Sequence, residues 1–223
     1  MGRTFTELNF EEWLRFVFDH PVTDPQWYFD IDADEWRGTS SIAADYLTRL
    51  FSDPCRWCEG FSDEQLNQGF WFIVGQNGCH GADSFLDAEV PWEIRRQGIE
   101  AIGTLFEQLF AKRCSDRLSH FDERGVRPLN SICYMWWDLF PTFGPSRKPS
   151  QASFDAVAME VMRRLLEIDS QACQESALHG LGHYQSAHPT RVKRMIDEYL
   201  ARNPELRREL LVYAHDAREG VVL

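Results

Sequence analysis

The chain has 223 residues, 43% of them hydrophobic and 13% aromatic, enough to bury a sizeable core. Against 23 Lys and Arg stand 35 Asp and Glu, a formal charge of −12, which argues against nucleic acid as the main partner because a duplex binder needs cations to displace phosphate counterions. No apolar run reaches the ~20 residues of a membrane span, and the first residues carry no secretory pattern, so a cytoplasmic protein with reduced, mostly buried cysteines is expected.

Helix signals follow one another along the chain. In "LNFEEWLRFVFDHP", Asn9 and Glu12 have the capping-box spacing, and Phe10, Trp13, Leu14, Val17 and Phe18 share one face. A loop over residues 20 to 40 is rich in acid and aromatics. Its Asp30, Asp32 and Asp34 begin like a calcium loop, but the sixth and twelfth positions are Glu35 and Ser41 where Gly and Glu are needed. The better reading is an acidic surface loop whose Trp27, Tyr28, Phe29 and Trp36 anchor a basic protein partner. Next, "SSIAADYLTRLF" places Ile42, Tyr46 and Leu50 at helical spacing.

Cys55 and Cys58 form a CxxC, but without the preceding strand of a redox motif or a second pair with zinc-module spacing, so they read as loop cysteines. "SDEQLNQGFWFIVG" repeats the capping box with Ser62 and Gln65, and Gly75 stops that helix. The loop from Gly75 to Gly81 lacks the Lys-Ser/Thr of a phosphate-binding loop, and its adjacent Cys79 and His80 do not make a nucleophile–base pair. A long helix is expected over residues 90–114, and a short, largely buried one in "PLNSICYMWWDLFP".

A Pro/Ser/Gly-rich linker at residues 141–152 separates the last third. There four helices are expected, over residues 153–168, 171–185, 189–202 and 204–219, the last with Asn203 as N-cap and Pro204 at its first position. Short connections make consecutive helices antiparallel hairpins. The fold class is all-α, a single domain with an N-terminal helical part (residues 1–140), the linker, and C-terminal helices (residues 153–220).

The stretch "CQESALHGLGHY" holds the strongest chemistry. Glu175, His179 and His183 lie four apart, a spacing that drifts only ~40° per step, so they form one stripe along the helix. The apolar residues cluster on a different arc, so the stripe is expected to point mostly away from the core-facing side, as a partner-facing edge, as the side that meets the next helix through hydrogen bonds, or as zinc ligands completed by His188 or His215. Gly180 stands where the zinc proteases carry their general-base Glu, which removes that mechanism. Gly180 and Gly182 each cost up to ~1 kcal/mol within a helix, and close approach of a neighbouring helix accounts for them.

"QESALHGLGHYQSAHPTRVKRMIDEYLARNP" resembles a unit of the HEAT-like (PBS-lyase-type) repeats, in which an Ala/Leu/Gly-rich helix precedes a second amphipathic one. With "FSDEQLNQGFWFIVG", "VPWEIRRQGIEAI" and "PLNSICYMWWDLFP" it also resembles a family of uncharacterised bacterial proteins. The resemblance implies stacked antiparallel helix pairs in a superhelical arrangement and brings no activity with it. The functional expectation is a non-catalytic helical scaffold that binds a protein, of regulatory or immunity/antitoxin type, without a cofactor. The alternative is a metal-dependent enzyme built on Glu175, His179 and His183, with zinc.

Overall fold

The computed structural model describes residues 2–75, 81–121, 123–140 and 152–222. The fold is all-α and divides into two compact units, Met1–Leu105 and Phe106–Leu223. The division differs from the one read at 141–152, because the helix containing Trp136 and Trp137 packs among the C-terminal helices. Residues 141–151, and Cys79 and His80 in the glycine loop, lie outside the described residues.

In the first unit, strand β1 (Thr4–Phe5) leads into α1 (Phe10–Phe18). The Asn9 side chain accepts the amide of Glu12, and the Glu12 carboxylate accepts the amide of Asn9, so the expected capping box closes in both directions. All five residues of the expected apolar face of α1 are buried. Strand β2 (Glu35–Trp36) pairs in parallel with β1, a two-residue ladder too short for alternation to announce.

Helix α2 (Ser40–Ser52) buries Ala43, Ala44, Leu47, Leu50 and Phe51. Ile42, placed on the buried face by spacing, is exposed. The two alanines take the inner side instead, and α2 packs against the helix at residues 92–105. Cys55 is not in a loop: it lies exposed on the one-turn α3 (Pro54–Trp57), and the buried Cys58 ends that turn. Helix α4 (Asp63–Val74) starts at the Ser62–Gln65 capping box and stops before Gly75 as expected. Helix α5 (Trp92–Leu105) completes the unit.

The stretch read as one long helix over 90–114 is thus α5 followed by a π-helical turn at Phe106–Phe110 and the short α6 (Ala111–Arg113). The second unit continues through a 3₁₀ turn at Ser119–Phe121 to α7 (Leu129–Leu139), α8 (Ala152–Leu165), α9 (Gln171–Tyr184), α10 (Pro189–Arg202) and α11 (Arg208–Glu219). The last helix begins later than expected. Asn203 caps the C-terminus of α10 with its amide on the Leu200 and Tyr199 carbonyls, and Pro204 lies in the turn.

Helix α9 is the centre of this unit, packed by α7, α8, α10 and α11. Among the described residues, no helix is long and apolar enough to cross a membrane.

Candidate functional site

The central position of α9 overturns one expectation. Outward orientation was inferred from the separation of polar and apolar arcs, an argument that holds for a helix with one solvent side. With neighbours on all sides both arcs are covered: Glu175 is 0% and His179 1% exposed, and only His183, near the helix end, is partly open. The stripe of Glu175, His179 and His183 is a buried polar seam.

A buried polar group must find partners, and each member of the seam finds different ones. Glu175 faces the 3₁₀ turn. Its carboxylate accepts the backbone amides of Ser119 and His120, both at 3.0 Å, and the Nδ1–H of His120 at 2.5 Å. Three donors on one carboxylate make it the anchor of this turn, so Glu175 is committed away from the histidines with which its spacing grouped it.

One turn on, His179 Nδ1 lies 2.7 Å from the hydroxyl of Tyr213 on α11, and that hydroxyl lies 3.1 Å from the hydroxyl of Tyr134 on α7. The chain of bonds is consistent when His179 Nδ1–H donates to Tyr213 and Tyr213 donates to Tyr134. His179 Nε2 is then the nitrogen with the lone pair, and it faces His183 Nε2 at 3.1 Å. His183 Nε2 is also 3.3 Å from Oδ1 of Asp138, near the end of α7. Burial, with His183 and His120 nearby, holds the His179 pKa down to about 3, so its ring is neutral. Burial, reinforced by the bond to Tyr134, pushes the Tyr213 phenol well above its ordinary value.

Sequence spacing found His179 and His183 but not the groups they meet. Asp138, Tyr134, Tyr213 and His120 come from other helices or the 3₁₀ turn, between 34 and 55 residues away in sequence from the α9 residues they face. The faint signal was Asp138 itself, a carboxylate inside the otherwise apolar "CYMWWDLF". Of the further ligands considered, His188 pairs with the buried Asp155 at 3.1 Å, and His215 lies exposed on α11.

Gly180 behaves as expected, meeting neighbouring helices, whereas Gly182 meets a residue beyond the end of α11. A Cβ on Gly180 would sit 2.6 Å from Trp137 Cβ and 2.7 Å from Met162 Sδ, and one on Gly182 2.6 Å from Val222 Cγ1. Gly180 lets α7 and α8 close on α9.

The acidic loop of the first unit is also corrected in detail. Trp36 is core, 3% exposed and packed on Trp13 and Tyr46. Trp27 stacks on His20 at 3.8 Å and, with Tyr28, leans on Phe72, so both are half-buried. Burial raises the Tyr28 pKa to about 12. Phe29, the fourth expected anchor, is more than half exposed, as is Val22, and Ile31 is 97% exposed. Of these, Phe29 lines an open cleft of about 630 Å³, together with His20, Trp27, Asp30 and Asp32. Arg3 binds Asp34 through its guanidinium and its backbone amide, which holds that carboxyl below its usual range. Asp24, Asp30 and Asp32 are exposed around the same loop.

Comparison with known protein families, with curated proteins and with solved structures finds no match to this chain.

Proposed function

We propose that the chain is an α-helical scaffold that binds a protein partner through the loop at residues 20–34. The observation that carries this reading is Ile31, 97% exposed, in a loop that also exposes Phe29, Val22, Asp24, Asp30 and Asp32. A large apolar side chain held in water is unfavourable unless something covers it, and clustered apolar exposure with a polar rim marks interaction surfaces. Residues 19–36 contain six acidic side chains and no Lys or Arg, so the complementary partner is a basic segment that presents an apolar side chain to the cleft. Helix hairpins such as those of the second unit suit a scaffold of HEAT-like character, and an acidic surface meeting a basic partner suits an immunity- or antitoxin-type role.

The test compares affinity capture from the native source by the wild-type chain and by the double variant Phe29→Ser, Ile31→Asp. A specific basic partner, lost by the variant and weakened as salt rises, supports the proposal. A partner retained equally by the variant, or one indifferent to salt, overturns it.

A further inference from the structure

Three ligand-type atoms converge at the end of the buried seam: Nε2 of His179, Nε2 of His183 and a carboxylate oxygen of Asp138, all within 4.8 Å of one another. Two edges of this triangle are 3.1 Å between the nitrogens and 3.3 Å from His183 Nε2 to Asp138 Oδ1. Ligands bound to zinc at about 2.0–2.1 Å in tetrahedral geometry stand about 3.3 Å apart. The atoms therefore already have close to the separations that a metal would give them. Hydrogen bonding alone serves this arrangement poorly. Three ligand-type atoms face one point, and a neutral His183 can place at most one proton on Nε2 between the two acceptors it faces.

The surroundings are those of a ligand set. His179 has its other nitrogen fixed by Tyr213, itself held by Tyr134, and such a bond from the far ring nitrogen orients a metal-binding imidazole and leaves Nε2 as the donor. The interior end is closed by His179, 1% exposed, while the side chains of His183 and Asp138 are 28% and 38% exposed, so an ion has a route in and a fourth ligand position opens to water. Two imidazoles and one carboxylate suit zinc and its first-row neighbours, and not calcium or magnesium, which take oxygen ligands.

We propose that Asp138, His179 and His183 form a site for one divalent transition-metal ion, with water as the fourth ligand and with Tyr213 as the positioning residue for His179. The ion would join α7 to α9. Glu175, the third member of the sequence stripe, is not a ligand.

The experiment titrates chelator-treated full-length chain with Zn²⁺ in competition with a chromophoric chelator, and separately with Co²⁺ followed by visible absorption. The expected result is one equivalent bound, a tetrahedral nitrogen/oxygen cobalt spectrum, and a rise in thermal stability with metal. Asp138→Asn and His183→Gln, both at partly exposed positions, should each weaken binding at least ~10–100-fold, and Tyr213→Phe about 10-fold, as loss of an outer-shell partner does. His215→Ala should leave affinity unchanged. Absence of stoichiometric binding to the wild-type chain overturns the proposal. So does affinity that survives the Asp138 and His183 changes, or that falls with His215→Ala. Should those variants fail to fold, a wild-type cobalt spectrum that is not tetrahedral decides against it equally.

Discussion

His179 and Tyr213, 34 residues apart in sequence, meet at 2.7 Å inside the second unit, where the imidazole is 1% exposed and the phenol buried. This contact ties α11 to the central α9. Tyr213→Phe keeps the ring and its stacking on His120 but removes the hydroxyl that serves His179. The variant leaves one buried polar group unsatisfied, at a cost of about 1–3 kcal/mol. Urea unfolding of metal-stripped protein measures it, and an unchanged midpoint would refute the assignment of that bond.

Glu175 anchors the turn at Ser119–Phe121 rather than any ligand. Glu175→Gln sets an amide NH₂ against donors that all require an acceptor, and about 3 kcal/mol of stability should be lost. The same change at the exposed Glu160 should move stability by less than about 0.5 kcal/mol. Hydrogen exchange offers a local check, since the amides of Ser119 and His120 should lose protection first.

Gly180 and Gly182 should respond differently to alanine. At Gly180 the new methyl meets Trp137 Cβ, close to the α7 backbone, so overpacking of about 1–3 kcal/mol outweighs the gain of up to ~1 kcal/mol in helix propensity. At Gly182 its nearest atoms are those of the Val222 side chain, outside any helix, whose methyl groups can shift more readily than the α7 backbone. Gly180→Ala should therefore be clearly the more destabilising of the two in urea unfolding. The reverse order would show that α9 is not held closely by α7 and α8.

Asp155 supplies a pH signature. Burial raises its carboxyl above the ordinary value of 3.8, and the bond to His188 offsets only part of that shift. The folded state therefore binds more protons than the unfolded state between 3.8 and the raised value. The contribution of Asp155 to stability is present at low pH and falls as pH rises through that window. Asp155→Asn abolishes the titration, so its stability relative to wild type should improve as pH rises from below 3.8 toward neutrality. Urea midpoints of both proteins across that range give the answer, and a difference that does not change with pH would contradict it.

Much of this was legible in the sequence for reasons that are local. Capping boxes at Asn9 and Ser62 and apolar runs at helical spacing depend on residues within one or two turns, and those elements formed as read. What was not legible depends on distant partners. The spacing that joined Glu175 to the two histidines is real helical geometry, but which of them share a site was decided by Asp138 and His120, brought in from other parts of the unit. Pro204 misled through its helix-start preference: the helix opens at Arg208, just beyond Arg207, whose side chain pairs with Glu123 and Glu209. Trp36, read as a surface anchor, sits in the core because the pairing of β1 with β2 turns it inward toward Trp13 and Tyr46.

The composition of α9 has a consequence for how the second unit comes apart. Two glycines, two histidines, a serine and a cysteine make "QACQESALHGLGHY" a poor helix former, and a peptide of that sequence would be mostly coil in water. Its helicity comes from α7, α8, α10 and α11 closing around it, and those helices in turn rest on its surface. With the helices resting on one another in this way, the amide protons of α9 should exchange only through the global opening of the whole unit, in one cooperative step.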